Sequence, residues 1–256
     1  HVWEDPRIDA VAGMLPGNNC GACGQAGCRA FAELLVKGGV QPAGCTVMGP
    51  ADREDVAAFL GVGAGEVDKV VARLLCAGGS DVAPRKALYR GIESCAAAVS
   101  VGGGGKGCTW GCLGYADCAV SCTFDAITMD AFGLPVVDVD KCTACNDCVE
   151  ACPLGLFALM PLDHKLIVQC KSLLEGEDAT AVCAVACNAC GRCVADGAPG
   201  LISMQRGLAV IDYDRVELAE PAAAARCPTG AILWLEGQQF ARLAPEVARA
   251  EVLAGV

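Results

Sequence analysis

The spacing of apolar residues predicts a small helical region at the start of the chain. Four of its apolar residues recur at helical spacing: Ile8, Val11, Ala12 and Leu15. Pro16-Gly17 should end this first helix, and Phe31, Leu34 and Leu35 supply the apolar face of a second. Asp52 is expected to cap a third helix that runs through Leu60, while residues 66–75 fit a helix or a strand equally well.

An internal repeat predicts short strands in the second half of the chain. Cys122–Cys142 reads CTFDAITMDAFGLPVVDVDKC, and Gly197–Val216 reads GAPGLISMQRGLAVIDYDRV. In each copy two short apolar runs flank a turn, which is typical of a strand pair. Cysteine loops lie on both sides of each copy, so helices and strands should form separate small modules of an α+β fold.

Composition narrows the kind of core that the chain can form. Among 256 residues there are 20 Cys and 32 Gly but only 3 Trp, 3 Tyr and 6 Phe. Small residues let the backbone approach something bulky that is not a side chain, and an inorganic cluster fits that description. The net charge of −11, without a basic run, argues against nucleic-acid binding.

Cysteine spacing separates disulfides from metal ligands. Cys142, Cys145 and Cys148 lie three residues apart in one short loop, so their thiols converge on a common centre. Disulfides need particular pairwise distances and directions, and they belong to oxidising compartments. The spacing therefore favours metal binding.

The first cysteine group interleaves its ligands with glycine. Its members are Cys20, Cys23, Cys28 and Cys45. Backbone N–H groups of such a loop can donate to the sulfurs of an iron–sulfur cluster. A structural zinc site with four thiolates is the rival interpretation.

The second group matches a bacterial ferredoxin run, in which the fourth cysteine of each run ligates the other cluster. This rule predicts one [4Fe–4S] site formed by Cys108, Cys112, Cys118 and Cys152. It predicts a second formed by Cys122, Cys142, Cys145 and Cys148. Pro153 follows the second run as expected, whereas Thr123 replaces the proline of the first run.

The third group retains one cluster of an expected two. Its cysteines are Cys187, Cys190, Cys193 and Cys227. The positions where the other four ligands would align are Gly197, Val216, Ala219 and Ala222. Under the rule that the fourth cysteine of each run ligates the other cluster, all four missing ligands would belong to the same cluster. The module is therefore predicted to be degenerate and to retain one cluster.

Four cysteines remain, which are Cys76, Cys95, Cys170 and Cys183. The x12 and x3 spacing of Cys95, Cys108 and Cys112 recurs in Cys170, Cys183 and Cys187. This recurrence favours the four remaining cysteines as ligands of a fifth cluster. It also leaves open which of the clusters Cys108 would ligate. Buried free thiols are the alternative.

Other residues offer no catalytic site. Gly102–Gly105 precedes Lys106, but Ser100 and Gly107 break the phosphate-loop pattern, so a turn that admits close backbone approach to a cluster is expected. His164 lies in a polar turn and is expected to face solvent, and His1 is the other histidine. No apolar stretch is long enough to span a bilayer.

The predicted order of domains follows from these groups. It comprises a helical [4Fe–4S] domain (1–75), a linker with extra candidate ligands (76–107), a two-cluster ferredoxin module (108–165), a degenerate one-cluster module (166–240) and a tail helix (241–256).

Four segments together resemble the B subunit of the Rnf complex, a membrane-bound ferredoxin:NAD oxidoreductase that couples electron flow to ion pumping. They are Glu4–Arg7, the loop PGNNCGACGQAGC (Pro16–Cys28), GCLGYADC (Gly111–Cys118) and GLPVVDVDKCTACNDC (Gly133–Cys148). The resemblance covers nearly the whole chain.

The resemblance implies an iron–sulfur subunit of an anaerobic translocase, on the cytoplasmic face of the cell membrane, without a substrate-transforming active site of its own. It would accept electrons from reduced ferredoxin and contact other membrane and peripheral subunits. Family members usually begin with a transmembrane helix, and a start at His1 agrees with its removal. A soluble polyferredoxin and a zinc-binding interaction module are the alternatives.

Overall fold

A computed structural model describes residues 4–66 and 68–240, so the predicted tail helix at 241–256 lies outside the described residues. The described chain forms two compact units. The first runs to Val70 and includes Thr143–Asn146, and the second contains Val71–Cys142 and continues from Asp147. Among the described residues, no helix is long and apolar enough to cross a membrane.

The first unit is helical, as its apolar spacing predicted. Its helices are α1 (Pro6–Met14), α2 (Cys28–Val36) and α3 (Pro50–Leu60). Val11, Phe31, Leu35 and Val56 are buried together between them. Asp5 caps α1 by accepting a hydrogen bond from the Arg7 backbone N–H at 2.9 Å.

The predicted cap of the third helix was wrong by one turn. The helix begins at Pro50, which suits the first helical position because it needs no N–H donor. Asp52 lies inside the first turn, where its Oδ2 accepts from the Gly49 N–H at 3.3 Å. Residues 66–75, which fitted either element, contribute the strand β1 (Val70–Leu74).

The second unit contains short helices and four two-stranded sheets. Its other strands are β2 (Ile127–Met129), β3 (Pro135–Val137), β4 (Phe157–Pro161), β5 (Leu166–Val168), β6 (Ile202–Gln205), β7 (Leu208–Ile211) and β8 (Ile232–Trp234). Its helices are α4 (Cys95–Ser100), α5 (Asp117–Val120), α6 (Asp147–Ala151), α7 (Gly176–Val182), α8 (Arg192–Asp196) and α9 (Ala222–Ala225).

The strand pairs follow the sequence repeat. β2 pairs antiparallel with β3, and β6 pairs antiparallel with β7, at the two segments predicted to form strand pairs. β1 pairs with β4, and β5 pairs antiparallel with β8. The second unit therefore contains two structurally related segments, which we call the first repeat (residues 71–142 and 147–161) and the second repeat (residues 166–234).

Two cysteines occupy equivalent places in the repeats. Cys76 follows β1, and its Sγ accepts hydrogen bonds from the N–H groups of Gly78 and Cys112, both at 3.4 Å. Cys170 follows β5, and its Sγ accepts from Ser172 and Cys187, also both at 3.4 Å. The structure therefore aligns Cys170 with Cys76, whereas the x12 spacing had aligned it with Cys95.

Residues 84–107 form an ordered insertion in the first repeat. It contains α4 and a turn at Gly103–Gly105, whose glycines have φ of 77°, 60° and 74°. A Cβ on Gly105 would lie 2.2 Å from the carbonyl oxygen of Ala87, so the group that this turn approaches is not the cluster that was expected. The approaching group is another stretch of backbone, at the base of the insertion.

Candidate iron–sulfur sites

The first candidate site lies in the helical unit. Its four cysteines, Cys20, Cys23, Cys28 and Cys45, line one recess of about 350 Å³. Gly21 and Gly24 in the connecting loop have φ of 72° and 75°, which a side chain would strain. Burial raises the pKa of Cys23, and the neighbouring Cys45 and Cys20 thiolates raise it further.

A second recess contains a cysteine that the crossed-run rule had not assigned to it. Its volume is about 380 Å³, and its cysteines are Cys95, Cys112, Cys118 and Cys152. The expected set had Cys108 in the place of Cys95. Cys108 instead lies near Cys76, which raises its pKa after the larger effect of burial.

The insertion explains why Cys95 reaches this recess. In the second repeat the run is Cys187-x2-Cys190-x2-Cys193, but in the first repeat Tyr115 stands at the middle position between Cys112 and Cys118. Cys95 begins α4, and its backbone N–H donates to Asp117 Oδ1 at 2.9 Å, which places α4 beside α5. The insertion thereby supplies a fourth thiol where the local run has lost one.

The third candidate group is only partly assembled within one unit. Cys122, Cys142 and Cys148 pack in the same apolar cluster of the second unit, whereas Cys145 belongs to the first unit. The Cys142 Sγ accepts a hydrogen bond from the Ala72 N–H at 3.5 Å. Cys145 follows Cys142 in the ferredoxin run, so its assignment rests on the sequence pattern.

Arg73 is a buried cation beside this group. The residue is 1% exposed, and only its Nη1 has a hydrogen-bond acceptor among the described residues, the Gly237 carbonyl oxygen at 2.8 Å. Burial lowers the pKa of Arg73, and the negative charge of Cys142 raises it. Composition gave no indication of this residue, because a single arginine in a strand is ordinary.

The last recess belongs to the second repeat. It has a volume of about 340 Å³, and its cysteines are the predicted set Cys187, Cys190, Cys193 and Cys227. Burial opposes ionisation of Cys227, but hydrogen bonds from the Ile232 and Thr229 N–H groups outweigh it and lower its pKa. The Thr229 hydroxyl lies 3.8 Å from the Cys227 Sγ and adds to this effect.

Four buried thiols belong neither to these recesses nor to the group of Cys122, Cys142, Cys145 and Cys148, and they are Cys76, Cys108, Cys170 and Cys183. A Cβ placed on Gly78 would lie 3.1 Å from the Cys183 Sγ and 3.6 Å from the Cys76 Sγ, so one thiol from each repeat flanks this glycine. The structure therefore brings Cys76 and Cys183 together and separates them from Cys95.

Comparison with known proteins agrees with the cysteine geometry. The family "Putative Fe-S cluster" matches residues 15–47, and "4Fe-4S binding domain" matches residues 135–156. The chain is 39% identical to the B subunit of the ion-translocating oxidoreductase complex of Methanosarcina acetivorans, over 90% of this chain and 87% of that protein. The chain belongs to the B-subunit family of Rnf ion-translocating oxidoreductase complexes.

Two further family members carry more specific names. The chain is 41% identical to the B subunit of the Na(+)-translocating ferredoxin:NAD(+) oxidoreductase complex of Acetobacterium woodii, over 84% of this chain and 64% of that protein. It is 38% identical to the B subunit of the proton-translocating ferredoxin:NAD(+) oxidoreductase complex of Clostridium ljungdahlii, over 89% and 81%. The chain thus spans less than two thirds of the Acetobacterium relative.

The recesses of this Rnf B-subunit chain fit iron–sulfur clusters. Each of the three recesses is lined by four cysteines. The donor set is sulfur alone, which is the usual ligand chemistry of iron–sulfur clusters.

Burial keeps several of these thiols protonated when no metal is bound. It raises the pKa of Cys112 and of Cys118 to about 12, and neighbouring thiolates add to the effect. Iron ligation needs thiolates, so metal binding must displace these protons.

His164 is the one histidine in the described part of the chain, and it does not contribute to these recesses. Its ring stacks on Tyr213 with centroids 5.1 Å apart, and it is half-buried, contrary to the expected solvent-facing position. The Tyr213 hydroxyl donates to the Leu166 carbonyl oxygen at 3.3 Å, so this pair helps to pack the second repeat.

Proposed function

We propose that this chain carries single electrons from reduced ferredoxin, through a series of [4Fe–4S] clusters, into a membrane-bound ion-translocating ferredoxin:NAD oxidoreductase. The observation that carries the proposal is the set of three recesses, each lined by four cysteines. The names of the Acetobacterium and Clostridium relatives supply the class of reaction.

Four ligand sets follow from the recesses and the cysteine runs. The proposed sets are Cys20/Cys23/Cys28/Cys45, Cys95/Cys112/Cys118/Cys152, Cys122/Cys142/Cys145/Cys148 and Cys187/Cys190/Cys193/Cys227. The middle two sets make the first repeat a two-cluster ferredoxin-like module. The last set makes the second repeat a degenerate one-cluster module, so the proposal comprises a two-cluster module followed by a one-cluster module.

The chemistry that bound clusters supply is one-electron, outer-sphere transfer without bonds to a substrate. The protein's residues hold the clusters at fixed places and exclude water from them. Backbone N–H groups also donate hydrogen bonds to ligating sulfurs. Ala126 donates to the Cys122 Sγ and Leu156 to the Cys152 Sγ, each at 3.4 Å. Such hydrogen bonds stabilise negative charge on the ligating sulfur and thereby set the potential.

The position in the complex is also part of the proposal. A protein that takes electrons from ferredoxin should lie on the cytoplasmic side of the membrane and contact other membrane and peripheral subunits. The soluble polyferredoxin is not favoured, because relatives that align with most of this chain are named as B subunits of translocating complexes.

The proposal can be tested on anaerobically purified protein. Iron, zinc and acid-labile sulfide are measured per chain, and the visible absorbance is followed after mixing with reduced ferredoxin. We expect equal iron and sulfide, and bleaching of the cluster absorbance by ferredoxin. Zinc without sulfide would exclude an electron carrier, while filled clusters that ferredoxin fails to reduce would exclude ferredoxin as the donor.

A further inference from the structure

Four buried cysteines lie where the two repeats meet, and none of them belongs to the four ligand sets above. We call this group the joint: Cys76 and Cys108 from the first repeat, and Cys170 and Cys183 from the second. Each thiol is at most 9% exposed. Two independent connections between the repeats bring them together.

The first connection aligns Cys76 with Cys170. The N–H of Ala77, the residue after Cys76, donates to the carbonyl oxygen of Gln169, the residue before Cys170, at 3.1 Å. Gln169 is also fixed from its side chain, because Gln239 Nε2 donates to its Oε1 at 3.0 Å. Both cysteines therefore leave their strands side by side.

The second connection aligns Cys108 with Cys183. The N–H of Ala184, the residue after Cys183, donates to the Val82 carbonyl oxygen at 2.8 Å. A Cβ on Gly107, the residue before Cys108, would lie 3.6 Å from the carbonyl oxygen of Val182. The repeats thus approach at both pairs, and each repeat contributes equivalent residues.

Gly78 and Lys106 complete the joint. Gly78 lies between the sulfurs of Cys76 and Cys183, where a side chain would reduce the space for any bound group. The Lys106 Nζ donates to the carbonyl oxygens of Gly78 and Cys112, so an ammonium group is fixed beside the thiols. A cation in this place offsets the negative charge of several thiolates.

We propose that Cys76, Cys108, Cys170 and Cys183 bind a fifth [4Fe–4S] cluster, to which each repeat contributes two ligands. This inference rests on the proposed electron-carrier function and deepens it.

The joint connects the sites on either side of it. Its ligand Cys76 accepts a hydrogen bond from the N–H of Cys112, a ligand in the first repeat. Its ligand Cys170 accepts the equivalent bond from Cys187, a ligand in the second repeat. The fifth cluster therefore links the first repeat electronically to the last site, across one hydrogen bond on each side.

Metal content of the full chain tests the proposal. Five clusters predict about 20 iron and about 20 sulfide per chain. Cys76→Ala removes a ligand contributed by the first repeat, and Cys183→Ala removes one contributed by the second. If both serve one cluster, each variant and the double variant should all retain about 16 iron.

Cys190→Ala is the control, because it lies in a separate recess. Combined with Cys183→Ala it should leave about 12 iron, since two different sites are then lost. Mössbauer spectra of the reduced joint variants should lack the contribution of one cluster and retain the contributions of the others.

Three results would overturn the fifth cluster. They are about 16 iron in the unaltered chain, joint variants that keep full iron, and additive losses in the double joint variant. The iron and sulfide content of the unaltered chain tests the proposal even if a variant does not fold. A protein without sulfide would instead overturn the proposed function itself.

Discussion

Asp117 accepts a hydrogen bond from the backbone N–H of Cys95, across 22 residues of sequence. Its second carboxylate oxygen accepts from the Ala96 N–H and from the Ser94 hydroxyl, both at 3.0 Å. One carboxylate therefore fixes the start of α4 against α5, which contains Cys118. This contact attaches the insertion to the cysteine run that it completes.

Removing the Asp117 carboxylate should loosen Cys95. Asp117→Ala removes three acceptor contacts, and loss of a helix cap costs about 0.5–2 kcal/mol. We expect a lower melting temperature and faster loss of one cluster's iron to a chelator. Asp117→Asn, which keeps one acceptor oxygen, should lie between the variant and the unaltered protein. Equal iron release from all three proteins would contradict this role.

A second cysteine position should be able to replace Cys95. Cys95→Ala should lose the iron of one cluster, and adding Tyr115→Cys should restore it, because Tyr115 stands where Cys190 stands in the second repeat. Cys95→Ala with Tyr115→Ser is the matched control and should stay depleted. The measurement is iron and sulfide per chain. If Tyr115→Cys fails to restore iron while the protein remains folded, the two positions are not equivalent.

Arg73 should raise the reduction potential of the cluster at Cys142. A buried positive charge favours the more negative, reduced state, and a unit charge about 8 Å away contributes about 2 kcal/mol at an effective dielectric constant of about 20. Arg73→Gln should therefore lower that potential in an EPR redox titration, and Arg73→Lys should largely preserve it. Equal shifts in both variants would show that packing, and not charge, is responsible.

Gly114 should not tolerate alanine. Its φ is 79°, and a Cβ there would lie 2.9 Å from the Gly133 carbonyl oxygen. Gly230 has a similar φ of 71° but nothing within 4 Å, so Gly230→Ala measures the conformational strain alone. We expect Gly114→Ala to cost about 1–3 kcal/mol more than this control in the free energy of unfolding. Equal costs would mean that the backbone moves apart readily.

The metal-free protein should lose stability at alkaline pH. The pKa of Cys112 and of Cys118 is about 12 in the folded chain, against 9.0 for a free thiol. Between pH 9 and 12 the unfolded chain has released these protons and the folded chain retains them. Stability is therefore present below pH 9 and falls above it, by at most about 1.4 kcal/mol per pH unit for each thiol.

Urea unfolding of chelator-treated protein at several pH values measures this slope. Cys112→Ala should make this slope shallower, because one of the two thiols with a pKa of about 12 is gone. An unfolding midpoint that stays constant or rises between pH 9 and 11 would contradict the assignment.

Sequence patterns over a few residues correctly predicted features that depend only on neighbouring residues. The hairpin strands lie where the repeated apolar runs placed them, at Ile127–Met129 and Ile202–Gln205. Two of the three recesses contain the cysteine sets predicted from spacing, namely those of the first unit and of the second repeat. Closely spaced thiols must approach one another whatever the rest of the chain does.

The misassignment of Cys108 has a physical cause. The x12 spacing before Cys108 and Cys183 is the same by coincidence, because Cys95 lies in an insertion and Cys170 follows a strand. Which thiol completes a site depends here on the contact between Asp117 and Cys95, which no local spacing contains. Arg73 was missed for a related reason, since its burial depends on strand pairing far along the chain.

The order of the joint ligands along the chain has a consequence for synthesis. Cys76 and Cys108 leave the ribosome early, and Cys152 completes the ligand sets of the first repeat before Cys170 and Cys183 have been made. Cys76 and Cys108 are therefore present without the other two joint ligands at a stage when the proposed ligand sets of the first repeat are already complete. The cluster that we propose for the joint can be completed only after translation has passed Cys183, because this ligand is made after every ligand of the first repeat.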